Sequence, residues 1–270
     1  MYEGFLPTAY GPVGGPTEYI LLPKLHVDRC IVQFYDLHVK RSARSNSHQY
    51  RLSVDTAFDD VVQKCLKQHG ESWLHPPIVD GFRRLFRSGG AGQVKMHSIE
   101  VTRDGRLVAG ELGYSVGKTY CSLSGFTDLL FASGSGSVQC LSLALMLHER
   151  GFDFWDLGMS MDYKMKMGAR NITRADFLRM LRASRDLPCC DLSQAGIKAA
   201  CLLVPRFKIG SYVRVRSACP VHGNKVGIIV AFKGAHFSVL LENSAGFGGY
   251  ERVARRHESP SFFLVTPLFC

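Results

Sequence analysis

The stretch Met96–Ser124, MHSIEVTRDGRLVAGELGYSVGKTYCSLS, decides the fold of the larger part of this 270-residue chain. Met96–Thr102 and Leu107–Val116 are runs rich in apolar and β-branched residues, joined by Asp104-Gly105. A second turn, Gly117-Lys118, leads into Thr119–Ser124. Asp-Gly between alternating hydrophobic residues is the strongest short-range hairpin signal, because the tight turn between two strands needs residues that accept positive φ. The stretch therefore predicts an antiparallel meander.

Upstream, Tyr50, Leu52 and Val54 alternate as in a strand, and Asp55 is placed to cap the next helix. Phe58, Val61, Val62, Cys65 and Leu66 recur at i, i+3, i+4, i+7 and i+8, one face of an amphipathic helix. Pro76-Pro77 suits the first turn of a second helix carrying Ile78, Phe82, Leu85 and Phe86. Downstream, the Ser133–Ser137 run leads into an apolar helix, Val138–Glu149, closed by Gly151. Phe152–Asp156 reads as a buried strand. Thr173 with Asp176 approximates a capping box for a last helix through Phe177, Leu178 and Leu181. Helices around an antiparallel core predict an α+β domain over residues 50–185.

The flanks differ in character. Residues 1–49 read as an irregular, partial N-terminal segment with a strand around Cys30–Tyr35 and a basic, flexible loop at Lys40–His48. Residues 186–205 read as a connector with a short helix. Residues 206–270 show only strands and turns, with strands at Tyr212–Arg216, Val226–Phe232 and His236–Leu241.

With 46% hydrophobic and 21% charged residues and a mean hydropathy of +0.00, the chain is neither disordered nor membrane-embedded by composition. It has no run near the ~18 apolar residues of a spanning helix. The 33 basic against 23 acidic side chains leave +10, of which residues 205–270 supply +6 (nine basic, three acidic). A surplus of that size suggests a polyanionic partner. The nine cysteines sit mostly singly in apolar segments without a C-x-x-C, which argues against a disulfide framework or a zinc site. No basic start followed by an apolar run marks a secretory signal. A soluble, cytoplasmic protein is the expectation.

Several residues invite a functional reading. Asp156 ends the most apolar strand, beside Gly158. Glu111, in an apolar run, either faces solvent or lines a cleft that takes a cation. His97 and Ile99 share one strand face and Ser98 and Glu100 the other, with His97 read as a satisfied, partly buried side chain. Met159, Met161, Met165 and Met167 are apolar fillers or the lining of an adaptable pocket. The Ser133–Ser137 run fits neither phosphate-loop spacing nor G-x-G-x-x-G. No metal-ligand spacing and no Ser-His-Asp order stand out.

Taken in order, Phe58-Asp-Asp-Val-Val-Gln-Lys-Cys65, Trp73-Leu-His-Pro-Pro-Ile78, His97-Ser-Ile-Glu100 and Leu107-Val-Ala-Gly110 through Gly113 carry a family pattern. Ser124-Gly-Phe126, Gly151-Phe-Asp-Phe-Trp-Asp156 and Met167-Gly-Ala-Arg-Asn-Ile-Thr-Arg-Ala-Asp-Phe177 continue it. The chain from Tyr50 to Leu181 resembles bacterial leucyl/phenylalanyl-tRNA–protein transferases, and Tyr2-Glu-Gly-Phe-Leu-Pro7 is similar to that family's Y-x-x-G-I-F-P segment. The resemblance implies an acetyltransferase-like (GNAT) fold for residues 50–185, a truncated first domain before it, and no metal or coenzyme A. It implies transfer of a Leu/Phe-type aminoacyl group from aminoacyl-tRNA to the N-terminal amine of an acceptor protein, which marks that protein for N-end-rule degradation. The tail from Gly210 to Val253 looks like a small SH3-like barrel of the KOW or Tudor kind, a candidate binder of RNA or of a protein peptide, with Arg214 and Arg216 on one strand face.

Within this resemblance Asp156 matches the aspartate of the family's Asp-x-Gln pair, while Gly158 stands at the glutamine and Leu123 at the glutamate of a Gly-Glu-Ser motif. Asp156 is then the catalytic candidate, with the 2′-hydroxyl of the tRNA assisting proton transfer. Tyr120, Leu123, Ser124, Phe126 and Met159 are candidates for the aminoacyl pocket, and Glu111 for contact with the acceptor amine or another cation. Lys40, Arg41, Arg44, Lys164, Lys166, Arg170 and Arg174 are candidates for tRNA phosphates. The alternatives are a catalytically lapsed relative that binds tRNA or protein N-termini, and an acyltransferase with another donor. A protein that neutralises several phosphates should lose about 10³-fold in tRNA affinity between 50 and 200 mM salt. A flat response in a filter-binding titration would count against those basic residues as phosphate contacts.

Overall fold

In the computed structural model, residues 1–15, 18–70, 73–203, 212–214, 226–233, 236–243 and 246–251 are described. They divide into two compact units, residues 1–34 with 39–204 and residues 35–38 with 205–270. In the first unit the elements run β1 (Leu6–Tyr10), β2 (Ile20–Lys24), β3 (Asp28–Val32), α1 (Arg41–Asn46), β4 (Arg51–Val54), α2 (Phe58–His69) and α3 (Pro76–Arg87). Next come β5 (Val94–Arg103), β6 (Arg106–Val116), β7 (Thr119–Thr127), α4 (Ser135–Glu149), β8 (Phe154–Gly158) and α5 (Asp162–Met165). The unit closes with β9 (Arg170–Thr173), α6 (Arg174–Ser184), β10 (Gln194–Lys198) and α7 (Ala200–Leu203).

The meander predicted from Met96–Ser124 forms the centre of an eight-stranded sheet, ordered β10-β4-β5-β6-β7-β8-β3-β9. Every neighbouring pair is antiparallel except β7 and β8. A parallel pair needs a long crossover, which α4 supplies. Helix α4 is apolar nearly all round and accordingly buried.

Strand alternation divides the core. Leu112, Tyr114, Val116, Cys121 and Phe126 pack with Phe58, Val61 and Val62 of α2 and Ile78 and Phe82 of α3 on one face. Phe177 and Leu181 of α6 extend that layer over Ile31 and Phe154.

Four departures from the sequence reading have physical causes. The basic segment Lys40–His48 is not a loop: α1 and a following 3-10 turn occupy it, closed by Ser45 Oγ to Arg41 O and Ser47 Oγ to Arg44 O, with Ala43 and Ser47 buried. Residues 1–49 are not an irregular segment: they form the β1–β2 hairpin and β3, which starts two residues earlier than its pattern suggested and lies between β8 and β9 in the main sheet. The connector holds β10, an edge strand antiparallel to β4. Asp55 does not cap α2; it turns at φ +61°, and its carboxylate accepts from the Ser98 N–H and pairs with His97 Nδ1. Glu100 from β5 takes over at that helix start, accepting from Ala57 N–H (3.2 Å) and Thr56 Oγ1 (2.8 Å). A cap from a neighbouring strand has no local sequence signature.

In the second unit β11 (Tyr212–Arg214), β12 (Val226–Lys233), β13 (His236–Asn243) and β14 (Gly246–Glu251) form an antiparallel sheet in chain order. Three of these strands match the sequence reading and β14 adds a fourth. Arg216, together with much of 206–270, lies outside the described residues.

Helix α6 shows the cap anticipated from sequence: Thr173 Oγ1 accepts from the Asp176 N–H at 3.2 Å and donates to its carboxylate at 2.8 Å. Thr173→Ala should cost about 1 kcal/mol of stability in a urea titration, with the slope unchanged.

Candidate active site

Strands β7 and β8 pair only over Thr119↔Phe154, Tyr120↔Trp155 and Cys121↔Asp156. Beyond these three registers β7 continues to Thr127 beside β6 alone, while β8 runs to Gly158 beside β3. The two parallel strands therefore part after Cys121 and Asp156, and the polar residues at the opening form two groups on opposite faces of the sheet.

On the α6 face, Asp156 is buried in a salt bridge with Arg29 of β3. Arg29 Nε donates to Asp156 Oδ1 at 3.2 Å and Arg29 Nη2 donates to Oδ2. Oδ1 also accepts from the Gly158 N–H at 2.9 Å. The guanidinium lies 4.5 Å from the centre of the Phe177 ring. Burial opposes its charge, but the adjacent carboxylate more than offsets this and holds Arg29 above its ordinary range. Gly158 has φ +70°, a conformation that disfavours any residue with a Cβ. The glycine at this position is thus what the turn after Asp156 requires.

On the α4 face, Glu111 of β6 is 5% exposed and accepts from three neutral donors. These are Ser122 Oγ at 2.6 Å, Gln139 Nε2 at 2.9 Å and Tyr120 Oη at 3.2 Å. Trp155 Nε1 of β8 donates to Ser122 Oγ at 2.8 Å, tying both strands at the opening. Burial pushes the Glu111 carboxyl above its ordinary range, against the three hydrogen bonds that favour its ionised form. Gly113 makes room for this: a Cβ there would fall on the Tyr120 hydroxyl.

Lys164 of α5 is buried, and its ammonium donates to the carbonyls of Leu157 (2.7 Å) and Met159 (2.8 Å). Burial lowers its pKa, with Glu111 and Asp156 among the charges that counteract the shift. It braces the end of β8, whereas Lys166 is exposed. Arg170 is exposed and donates to Gln33 Oε1. Arg174 donates to Gly4 O and covers the Phe5 ring. Lys40 and Arg41 are exposed, and Arg44 is half-buried.

The five residues expected to line one pocket are not brought together. Tyr120 faces α4, Phe126 and Leu123 pack among the α2 and α3 side chains, Ser124 is buried, and Met159 is 55% exposed. A bulge opposite Leu112-Gly113 interrupts the alternation of β7 at this point, which sequence spacing does not reveal. A separate apolar cavity of about 450 Å³ lies between the N-terminal hairpin and α3, lined by Phe5, Leu21, Leu22, Pro77 and Phe82 among others. His97, as expected, is buried with both ring nitrogens engaged, at Asp55 Oδ2 (2.9 Å) and Ser115 Oγ (3.0 Å).

Sequence reasoning missed Arg29, Ser122, Gln139 and Trp155. Gln139 had a visible signal, an amide beside the apolar run of helix α4. Arg29 stands next to a run of buried β residues, and its partner is 127 residues away.

The first unit is thus an α+β domain whose parallel strand pair opens onto a buried ion pair on one face and a neutral-donor carboxylate cluster on the other. Residues 31–182, more than half of the chain, match the family Leucyl/phenylalanyl-tRNA protein transferase. The chain belongs to that family. Relatives named leucyl/phenylalanyl-tRNA--protein transferase include proteins of Nitrosomonas eutropha (33% identical, covering 57% of this chain and 64% of that protein) and Thiobacillus denitrificans (34%, 59% and 69%). That of Stutzerimonas stutzeri is 34% identical over 57% of this chain and 66% of its own length. The chain thus spans roughly two thirds of the curated relatives it matches.

Removing one partner of a buried ion pair strands the other charge. Arg29→Met should lower unfolding stability by about 3–5 kcal/mol. Arg29→Met combined with Asp156→Leu should recover part of that loss, which calorimetric melting of both variants would show.

Proposed function

We propose that this protein is an aminoacyl-tRNA–protein transferase, moving a leucyl- or phenylalanyl-type group from tRNA to the N-terminal amine of an acceptor protein. The observation that carries the reading is family membership over residues 31–182, a span that includes both strands of the opening, the Glu111 cluster and Asp156, though not its partner Arg29. The reaction is aminolysis of an ester: an unprotonated amine attacks the acyl carbon, and the ribose oxygen leaves with a proton. In this reading the first unit is acetyltransferase-like, and the substrates meet where β7 and β8 part.

Asp156 acts as a positioning residue, because Arg29 and the Gly158 N–H already occupy its carboxylate; it orders the turn that ends β8. Glu111 is the carboxylate without a cationic hydrogen-bond partner, since its donors are all neutral, and it serves the acceptor amine through those donors. The exposed Lys40, Arg41, Lys166 and Arg170 are the first choices for tRNA phosphates. Exposed Met159, Met161 and Met165 offer adaptable apolar surface to the aminoacyl side chain. The C-terminal strands belong to an SH3-like barrel for RNA or a protein peptide, and the protein works in the cytoplasm. No described helix is long and apolar enough to cross a membrane.

The test is transfer of radiolabelled Leu, Phe, Met or Arg from charged tRNA to peptides that differ in their first residue. Incorporation from Leu- or Phe-tRNA onto peptides beginning with Arg or Lys is expected. Absence of incorporation, with tRNA or peptide still bound, would replace the enzyme by a binding module.

A further inference from the structure

Ser122 occupies a position that neither the family motif nor a packing role accounts for. It is the first residue of β7 beyond the last β7–β8 register, and it is half-buried where Glu111, Gln139, Tyr120 and Trp155 are buried. Its hydroxyl donates its one proton to Glu111 Oε1 at 2.6 Å and accepts from Trp155 Nε1 at 2.8 Å. A hydroxyl oxygen has two lone pairs, so one acceptor position remains, on the residue that borders the opening. Behind it lies a carboxylate with no cation hydrogen-bonded to it among the described residues. Lys164, the nearby ammonium, is committed to the carbonyls of Leu157 and Met159. A buried carboxylate whose hydrogen-bond donors are all neutral takes up a proton more readily than an exposed one, and Ser122 is its contact with the more exposed side of the cluster.

We propose that Ser122 and Glu111 form the proton relay of the transfer reaction, an inference that rests on the transferase reading above. As the acceptor amine attacks the ester carbonyl, the C–N bond forms and the nitrogen gives a proton to Ser122 Oγ, which passes its own to Glu111. As the C–O bond to the ribose breaks, the proton returns from Glu111 through Ser122 to the departing ribose oxygen. The products are an amide and a free tRNA hydroxyl, with Ser122 and Glu111 restored. Ser122 is the catalytic residue, touching the amine; Glu111 acts through it. Gln139 and Tyr120 are positioning residues that hold the carboxylate, and Trp155 orients the hydroxyl. The arrangement supplies from β6 a carboxylate that Leu123 cannot offer.

Ionisable groups around Glu111 come from several elements: Tyr120 on β7, Cys140 on α4, Cys65 on α2, and Tyr163 and Lys164 on α5. Asp55 acts on Tyr120, and the His97 ring centre is 6.2 Å from that of Tyr120. Burial raises Tyr120 and Tyr163 and pushes both thiols up to about 12, so these four stay protonated at neutral pH.

The experiment measures transfer from Leu-tRNA or Phe-tRNA to an Arg-initiated peptide by the full chain and by Ser122→Ala, Ser122→Thr and Glu111→Gln. Ser122→Ala should lower kcat by ~10²-fold or more, within the range of general acid–base catalysis, with tRNA affinity and acceptor KM little changed. Ser122→Thr keeps the hydroxyl and should recover most of the rate. The native protein should lose rate on acidification through two ionisations, the acceptor amine and Glu111; Glu111→Gln should be slow and retain only the amine's. Ser122→Ala with kcat within about threefold of the native value would overturn the relay and leave the transferase standing. A Ser122→Ala that loses tRNA binding and melts early would make the cluster a structural one and also overturn the relay. Native protein that transfers nothing would overturn the transferase reading, and the relay with it.

Discussion

The buried ion pair of Arg29 and Asp156 is the constraint on which the end of the sheet where β7 and β8 part depends. Two charges in the interior are tolerable only when they meet with good geometry and when their remaining hydrogen-bonding groups find partners. Asp156 meets that requirement with the Gly158 N–H as third donor; Arg29 meets it only in part, its Nη1 lacking a hydrogen-bond partner while the Phe177 ring covers the guanidinium. The pair thereby joins three pieces of chain that are distant in sequence. The N-terminal strand β3 is held beside β8, α6 is seated over both, and the turn after β8 is fixed by the carboxylate that anchors the guanidinium. Lys164 completes the brace from α5 by taking two carbonyls of the same segment.

That anchoring explains how β7 and β8 can part without loosening the fold. A parallel pair that stops after three registers leaves backbone groups and side chains in need of other partners. On its other edge β8 stays paired with β3 throughout, from Val32↔Trp155 to Cys30↔Gly158, which keeps it in the sheet. The Trp155 indole reaches back across the opening to Ser122. Because successive side chains of a strand point to opposite faces, Asp156 and Trp155 serve opposite layers. The ion pair and the Glu111 cluster therefore lie close in the strand order yet on opposite faces of the sheet, with Lys164 feeling the charge of both carboxylates. Glycine at 113 lets the Tyr120 hydroxyl pass over β6 to Glu111, which a larger residue would prevent.

Much of the fold was legible because its signals are local. The Asp104-Gly105 and Gly117-Lys118 turns, the i, i+3, i+4 spacing from Phe58 to Leu66, the Pro76-Pro77 helix start and the Thr173 cap each rest on residues a few positions apart, and each stands in the structure. The family pattern was legible for a related reason: it is an ordered series of short motifs. Asp156 and Glu111 were visible as carboxylates in apolar runs, but their partners were not. Arg29 comes from the far end of the chain, Gln139 from the crossover helix, and Ser122 and Trp155 from two strands whose meeting depends on where the parallel pairing ends.

The sequence by itself determined the element types, the α+β character, the family and the presence of two unusual carboxylates, because periodicity, turn chemistry and burial of a charge in an apolar run are properties of short segments. Tertiary structure alone decided that the N-terminal segment enters the main sheet through β3, that Glu100 rather than Asp55 serves the start of α2, and that one carboxylate is neutralised by a guanidinium while the other is met only by neutral donors. Those outcomes depend on which face each strand presents and which distant strand lies beside it. A single bulge in β7 opposite Leu112-Gly113 is enough to change which layer a side chain enters.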